Sequence, residues 1–187
     1  MEQQGLDRDE WLEKLELIDQ NLQRQGGTAR LTLIGSAAGI LAGQPGRTSI
    51  DLDVWKPKSH YQLKALKRAV EEAGLLFDPK FTLEPDTPYL QLVEPGLVQT
   101  GNFGKTEVLE RFNALRLERP PIANLVAAKL VRAEPKDLED IAFLLATFQP
   151  SRTDIERAIK TMPPKPRKQA AENLVYLDTM GGAQPDH

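Results

Sequence analysis

Within the run "SIDLDVW" the chain sets two aspartates two residues apart, Asp51 and Asp53, among residues that otherwise suit a buried strand. Period-two alternation puts Ile50, Leu52 and Val54 on one face and both carboxylates on the other. Like charges side by side on a strand repel, so the pattern is costly unless the face is well solvated or a cation lies between the acids. Their Cα atoms would stand roughly 6.5–7 Å apart. At that spacing two carboxylates can converge on one divalent ion or bridge two, as phosphoryl-transfer sites require. Upstream, "LTLIGSAAGILAG" reads as a strand that turns at Gly35-Ser36 into a short helix. Glycine lets backbone approach a ligand closely, and a helix opening at Ser36 offers N–H groups that favour a phosphate.

The residues that are missing narrow the chemistry further. There is no Cys and there are two His, His60 and His187, which argues against a thiol nucleophile, a thiolate zinc site or a Ser-His-Asp triad. Catalysis would rest on carboxylates, Lys, Arg, hydroxyls and backbone, a donor set suited to Mg²⁺ or Mn²⁺. The formal net charge of -3 argues against nucleic-acid binding by bulk charge, though it leaves room for a local basic patch. No apolar run reaches the ~18 residues of a membrane span, and "MEQQGLDRDE" is unlike a signal peptide, so a cytoplasmic protein with no membrane partner is expected.

Along the chain, Trp11, Leu15, Ile18 and Leu22 recur at helical spacing and predict an amphipathic helix over 8–24, its apolar stripe facing a core. "ARLTLI" (29–34) reads as a strand. Residues 59–74 read as a helix capped by Ser59 and closed by Gly74, with His60 as a helix-start residue. Strands are expected at 89–94, 108–112 and 114–119, followed by helices at "IANLVAAKLVRA", "PKDLEDIAFLLATF", "SRTDIERAIKTM" and "RKQAAENLVYLDTM". The closing "GGAQPDH" looks frayed. With strands first and helices gathered late, the fold class is α+β, with a core over 1–120 and a helical part over 121–187 packed on it.

The order strand, Gly-Ser, helix, Asp-x-Asp strand in "LIGSAAGILAGQPGRTSIDLDVW" resembles the signature of the DNA polymerase beta-like nucleotidyltransferase superfamily. The "RTSIDLD" wording, with Arg47 and Thr48 just ahead of the acids, is similar to its small bacterial branch of abortive-infection and toxin-antitoxin toxins. The resemblance implies a nucleotidyltransferase-type mixed β-sheet flanked by helices, with a helical C-terminal extension. It implies Mg²⁺ or Mn²⁺ on Asp51 and Asp53, and a nucleoside triphosphate held near Gly35, Ser36, Arg47 and Thr48. Transfer of a nucleotide to tRNA or to a protein hydroxyl, and a neutralising antitoxin, follow from the same resemblance.

A second match lies in "NLVAAKLVRAEPKDLEDIAFLL" (124–145). Lys129 is similar to the lysine such toxins use on the triphosphate, and Lys136-Asp137 resembles their Arg-Asp pair, with Asp140 as the following acid. Asp137 would then orient Lys129. The structural alternative is that first-turn acids stabilise the helix dipole and that Lys136 and Asp140 form an i,i+4 pair. Many active members carry a third acid on a later strand. Here "TPYLQLVEPG" offers Gln91 at that place, with Glu94, Glu107 and Glu118 as further candidates. That departure supports an alternative reading as a degenerate, non-catalytic binding or antitoxin-like module. Trp55 follows the acids on their own face and reads as a packing residue, with stacking on a base as the functional alternative. The cluster Lys160, Lys165, Arg167 and Lys168 reads as a solvated face, with RNA phosphates as the functional alternative.

Overall fold

The computed structural model describes residues 5–80 and 86–180, so the C-terminal "GGAQPDH" segment lies outside the described residues. The chain divides into two compact units: residues 1–95 with 107–119, and residues 96–106 with 120–187.

The first unit is a sheet with helices against it. Helix α1 (Arg8–Arg24) starts at Asp7, whose side chain accepts from the Glu10 N–H while Glu10 reaches back to the Asp7 N–H, a reciprocal cap. Its stripe of Trp11, Leu15, Ile18 and Leu22 is fully buried, as the periodicity predicts. Strand β1 (Ala29–Ile34) leads into α2 (Gly35–Leu41), and β2 (Asp51–Trp55) returns antiparallel to β1. After a single 3₁₀ turn, β3 (His60–Tyr61) continues along β1. Helix α3 (Leu63–Glu72) follows, packing on α1, and then β4 (Leu76–Phe77), β5 (Tyr89–Val93), β6 (Glu107–Arg111) and β7 (Leu115–Arg119). The strand order is β4-β5-β2-β1-β7-β6, with β3 also paired to β1. β2-β5, β4-β5 and β1-β7 are parallel; β1-β2 and β6-β7 are antiparallel. The sheet is therefore mixed, as expected.

The helix expected over 59–74 begins four residues late. Ser59 does not cap it: its Oγ accepts the Thr32 N–H and donates to the Trp55 carbonyl, which keeps 59–61 extended beside β1. His60 is accordingly an exposed strand residue. One buried carboxylate fixes the far end of the sheet to α1. Asp19, 3% exposed, accepts the N–H groups of Ala114 and Leu115 at 2.6 and 2.8 Å and so holds the β6-β7 turn.

The second unit is helical: α4 (Ile122–Arg132), α5 (Pro135–Phe148), α6 (Arg152–Lys160), α7 (Pro164–Glu172) and α8 (Val175–Thr179). Helix α4 is apolar nearly all round, as a central helix must be, and α5, α6 and α7 pack on it. Gly96–Thr106 belongs to this unit; the Asn124 amide donates to the Thr100 and Asn102 carbonyls and anchors it to α4. Lys160, Lys165, Arg167 and Lys168 are all exposed. No helix among the described residues is long and apolar enough to cross a membrane.

Candidate functional site

The acid pair sits where three strands meet. In the sheet register Asp53 faces Ile34 of β1 on one side and Gln91 of β5 on the other, and Asp51 faces Tyr89. Leu52 and Val54 are fully buried, whereas Asp51 and Asp53 are half-buried. The period-two reading is therefore the observed geometry. Ser49, buried beneath this loop, donates from its Oγ to Asp51 Oδ1, and its carbonyl accepts from the Trp11 indole at 3.2 Å. The α1 core thus sets the height at which β2 begins.

Because Ile34 lies opposite Asp53, the residue after it must turn over that carboxylate. Gly35 does so at φ +67°, in the left-handed region that side chains avoid. A Cβ there would stand 2.7 Å from Asp53 Oδ2. The glycine therefore serves both the backbone conformation and the close approach to the acid. Helix α2 has no side-chain cap on its N-terminus. Arg47, in the loop before β2, donates from Nη2 to Ser36 Oγ at 2.8 Å, which brings a guanidinium to the same turn. Gly35, Ser36, Arg47, Asp51 and Asp53 are thereby gathered at one end of β1. Thr48 is exposed, and its Oγ1 lies against Gly5.

Tyr89 was not singled out from the sequence. It lies level with Asp51, and burial, followed by the charges of Asp51 and Asp53, pushes its hydroxyl above the ordinary tyrosine range. Tyr89 and Gln91 come level with Asp51 and Asp53 only through the β2-β5 register, which the sequence does not record. Trp55 takes the packed reading, not the stacking one. It is 8% exposed, so its indole is part of the packing and does not offer a face to a base.

The alternative third acids are engaged elsewhere. Glu94 pairs with Lys56, which lowers the carboxyl and raises the amine from their ordinary values. Glu107 meets Arg119 at 2.7 Å, and Glu118, 2% exposed, meets Arg116 at 2.6 Å. No group of three or more metal-ligating side chains occurs among the described residues. Two adjacent half-buried carboxylates still fit one hard cation, since Mg²⁺ is commonly held by one or two carboxylates with waters and substrate phosphates completing the shell. They do not form a closed protein cage.

Lys129, Asp137 and Asp140 come together within the helical unit. Lys129 Nζ lies 2.6 Å from Asp140 Oδ2 and 3.8 Å from Asp137 Oδ1. Arg132 takes Asp137 with two hydrogen bonds, at 2.7 and 3.0 Å, and raises its own pKa by doing so. Ala133 in the left-handed conformation ends α4 sharply, and the Glu134 N–H donates to Asp137, so the chain enters α5 with these four charges in contact. Asp140 thus pairs with Lys129, not with Lys136 as the i,i+4 spacing suggests. Lys129 is only 8% exposed and can reach a phosphate only by leaving Asp140.

The mixed sheet flanked by helices is the fold that the resemblance to nucleotidyltransferases implies. The comparison of structures agrees. The chain is similar to the crystal structure of an antigenic nucleotidyltransferase-like protein from Paracoccidioides brasiliensis, with a TM-score of 0.54 and 16% identity over 98% of this chain and 97% of that one. At this identity the likeness is one of fold. No family model and no curated protein matches the sequence.

Proposed function

We propose that the chain is a nucleotidyltransferase that moves a nucleoside monophosphate from a nucleoside triphosphate to an acceptor hydroxyl. The observation that carries this reading is the Asp51-Asp53 face with Gly35 turned over Asp53 at φ +67°. Asp51 and Asp53 would hold one Mg²⁺ or Mn²⁺, which when bound supplies charge neutralisation on the phosphates. The chain's own residues do the rest. Gly35 lets the backbone pass directly over the Asp53 carboxylate, and Arg47, braced on Ser36, would offer guanidinium donors to the leaving pyrophosphate. Tyr89 keeps its proton and can donate towards the same face. The acceptor hydroxyl oxygen bonds to the α-phosphorus as the bond to pyrophosphate breaks, and the hydroxyl proton passes to solvent water. Catalysis of this kind is positioning and electrostatics, which needs neither His nor Cys. In this reading Lys129 and Asp137 stay in their ion-paired cluster as a brace for the α4-α5 turn, and charge on the triphosphate falls to Arg47.

A tRNA or protein acceptor, and a role as the toxin of a pair with a neutralising antitoxin, remain the favoured setting on the "RTSIDLD" wording. A second reading has one observation behind it. Gln91 stands directly beside Asp53 where a third acid would complete a two-cation site. That favours a degenerate scaffold that binds without transferring.

Thermal melting separates the two. With Mn²⁺ and each nucleoside triphosphate present, a formed site gains stability by mass action, about 2.7 kcal/mol at a hundred times the dissociation constant. The gain should vanish with chelator and in Asp53→Asn. A gain that ignores both cation and Asp53 would defeat the assignment.

A further inference from the structure

At the other end of β1 from the aspartate pair, about 13 Å along the strand, the first unit carries a second arrangement of charge. Arg30 faces His60 of β3 on one side and Arg116 of β7 on the other, and Arg116 in turn faces Arg111 of β6. Four basic side chains thus lie in one register row across four adjacent strands. Opposed like charges destabilise a sheet, so the row raises the same question as the aspartates, with the sign reversed. Arg116 is offset by Glu118 at 2.6 Å. Arg30 and Arg111 have no ion pair among the described residues, and the nearby Glu110 carboxylate accepts from the Arg111 backbone N–H. All four basic residues line an open surface groove of about 350 Å³, together with Phe112 and Asn113 of the β6-β7 turn.

We propose that this groove binds a small organic phosphate. The two guanidinium forks without an ion pair among the described residues, Arg30 and Arg111, suit the double charge of a phosphate; a carboxylate fits one fork equally well but carries half that charge. The volume lies at the small-molecule end of binding sites, roughly 300–1,000 Å³. Asn113 and the Phe112 ring give the organic part of the ligand an amide and an apolar wall. The turn that carries them is held by Asp19 through the N–H groups of Ala114 and Leu115, so the groove wall is preformed. This site is separate from the Asp51-Asp53 face and does not depend on its chemistry.

The test is titration calorimetry of the full chain in metal-free buffer with adenosine monophosphate, pyrophosphate and a short oligoribonucleotide as probes. Saturable binding of adenosine monophosphate is expected, weakened about tenfold in Arg30→Gln and in Arg111→Gln and unchanged in Asp53→Asn, whereas binding of pyrophosphate alone would contradict the proposal. Binding that survives both arginine substitutions, or no saturation by roughly 10 mM adenosine monophosphate, would overturn the proposal. Binding of the oligoribonucleotide alone would also overturn it, in favour of a nucleic-acid backbone surface. The ligand-free melting temperature gives a second readout. Relief of cross-strand repulsion predicts that Arg30→Gln raises it. A fall would mark Arg30 as a structural residue and contradict the proposal.

Discussion

Replacing Gly35 by alanine probes the link between backbone and acid site most sharply. Two costs combine in Gly35→Ala. The φ of +67° is a left-handed conformation that costs an L-residue about 1–2 kcal/mol. The new Cβ would also stand 2.7 Å from Asp53 Oδ2, closer than real Cβ contacts come, so the Asp53 carboxylate must turn or shift from the position it holds against Gly35. A displaced rotamer costs about 0.5–1.5 kcal/mol. The variant should therefore lose about 2–3 kcal/mol in urea or guanidinium melts. The two parts separate in a double-mutant cycle with Asp53→Ala. The backbone strain stays and the carboxylate clash goes, so a coupling of about 1 kcal/mol is expected between positions 35 and 53. Nucleotide-dependent stabilisation should fall in Gly35→Ala even at temperatures where the fold is intact. Additive costs, or a Gly35→Ala variant within about 0.5 kcal/mol of the parent, would refute the reasoning.

Three further outcomes follow from the geometry. Tyr89 titrates above its ordinary value because of burial and the two aspartates, so the absorbance difference between the parent and Tyr89→Phe at alkaline pH should show a late titration. Asp51→Asn or Asp53→Asn should move it earlier. A raised folded-state value means that the stability linked to Tyr89 is fully present below about pH 10 and is lost as pH rises through that folded value. Lys129→Met should cost about 3–5 kcal/mol, because it removes the cation paired with the buried Asp140 carboxylate, and adding Asp140→Asn should restore much of the loss. If Lys129→Met melts like the parent, the lysine is not part of a structural cluster. Asp19→Ala removes the acceptor of two backbone N–H groups and should cost about 2–3 kcal/mol, seen in chemical denaturation; a loss below about 0.5 kcal/mol would contradict the anchoring role.

Long periodic features were legible in the sequence and short or register-dependent ones were not. The stripe of α1 and strand β1 carry local signals that tertiary packing reinforces, and the structure keeps their boundaries, while α2 begins at Gly35 itself. The alternation about Asp51 and Asp53 is just as local. Ser59 misled because a hydroxyl before a helix-like run reads as a cap, whereas its partners here are Thr32 and Trp55. The two-residue strands β3 and β4 exist only through their pairing with β1 and β5. Tyr89, and the basic row about Arg30, depend on which strands are neighbours, and no single segment records that. Asp140 shows the limit of helical spacing: Lys136 is the nearer partner in sequence, and a turn closed by Ala133 delivers Lys129 instead.

The central claim is that the Asp51-Asp53 face supports nucleotide transfer. It is tested most directly by incubating the chain with each α-labelled nucleoside triphosphate, Mg²⁺ or Mn²⁺, total tRNA and cell lysate, beside a folded Asp53→Asn variant. The account predicts label on RNA or on a protein band with the parent chain and none with the variant. Equal labelling by both, or no labelling with any triphosphate and either cation, would contradict it.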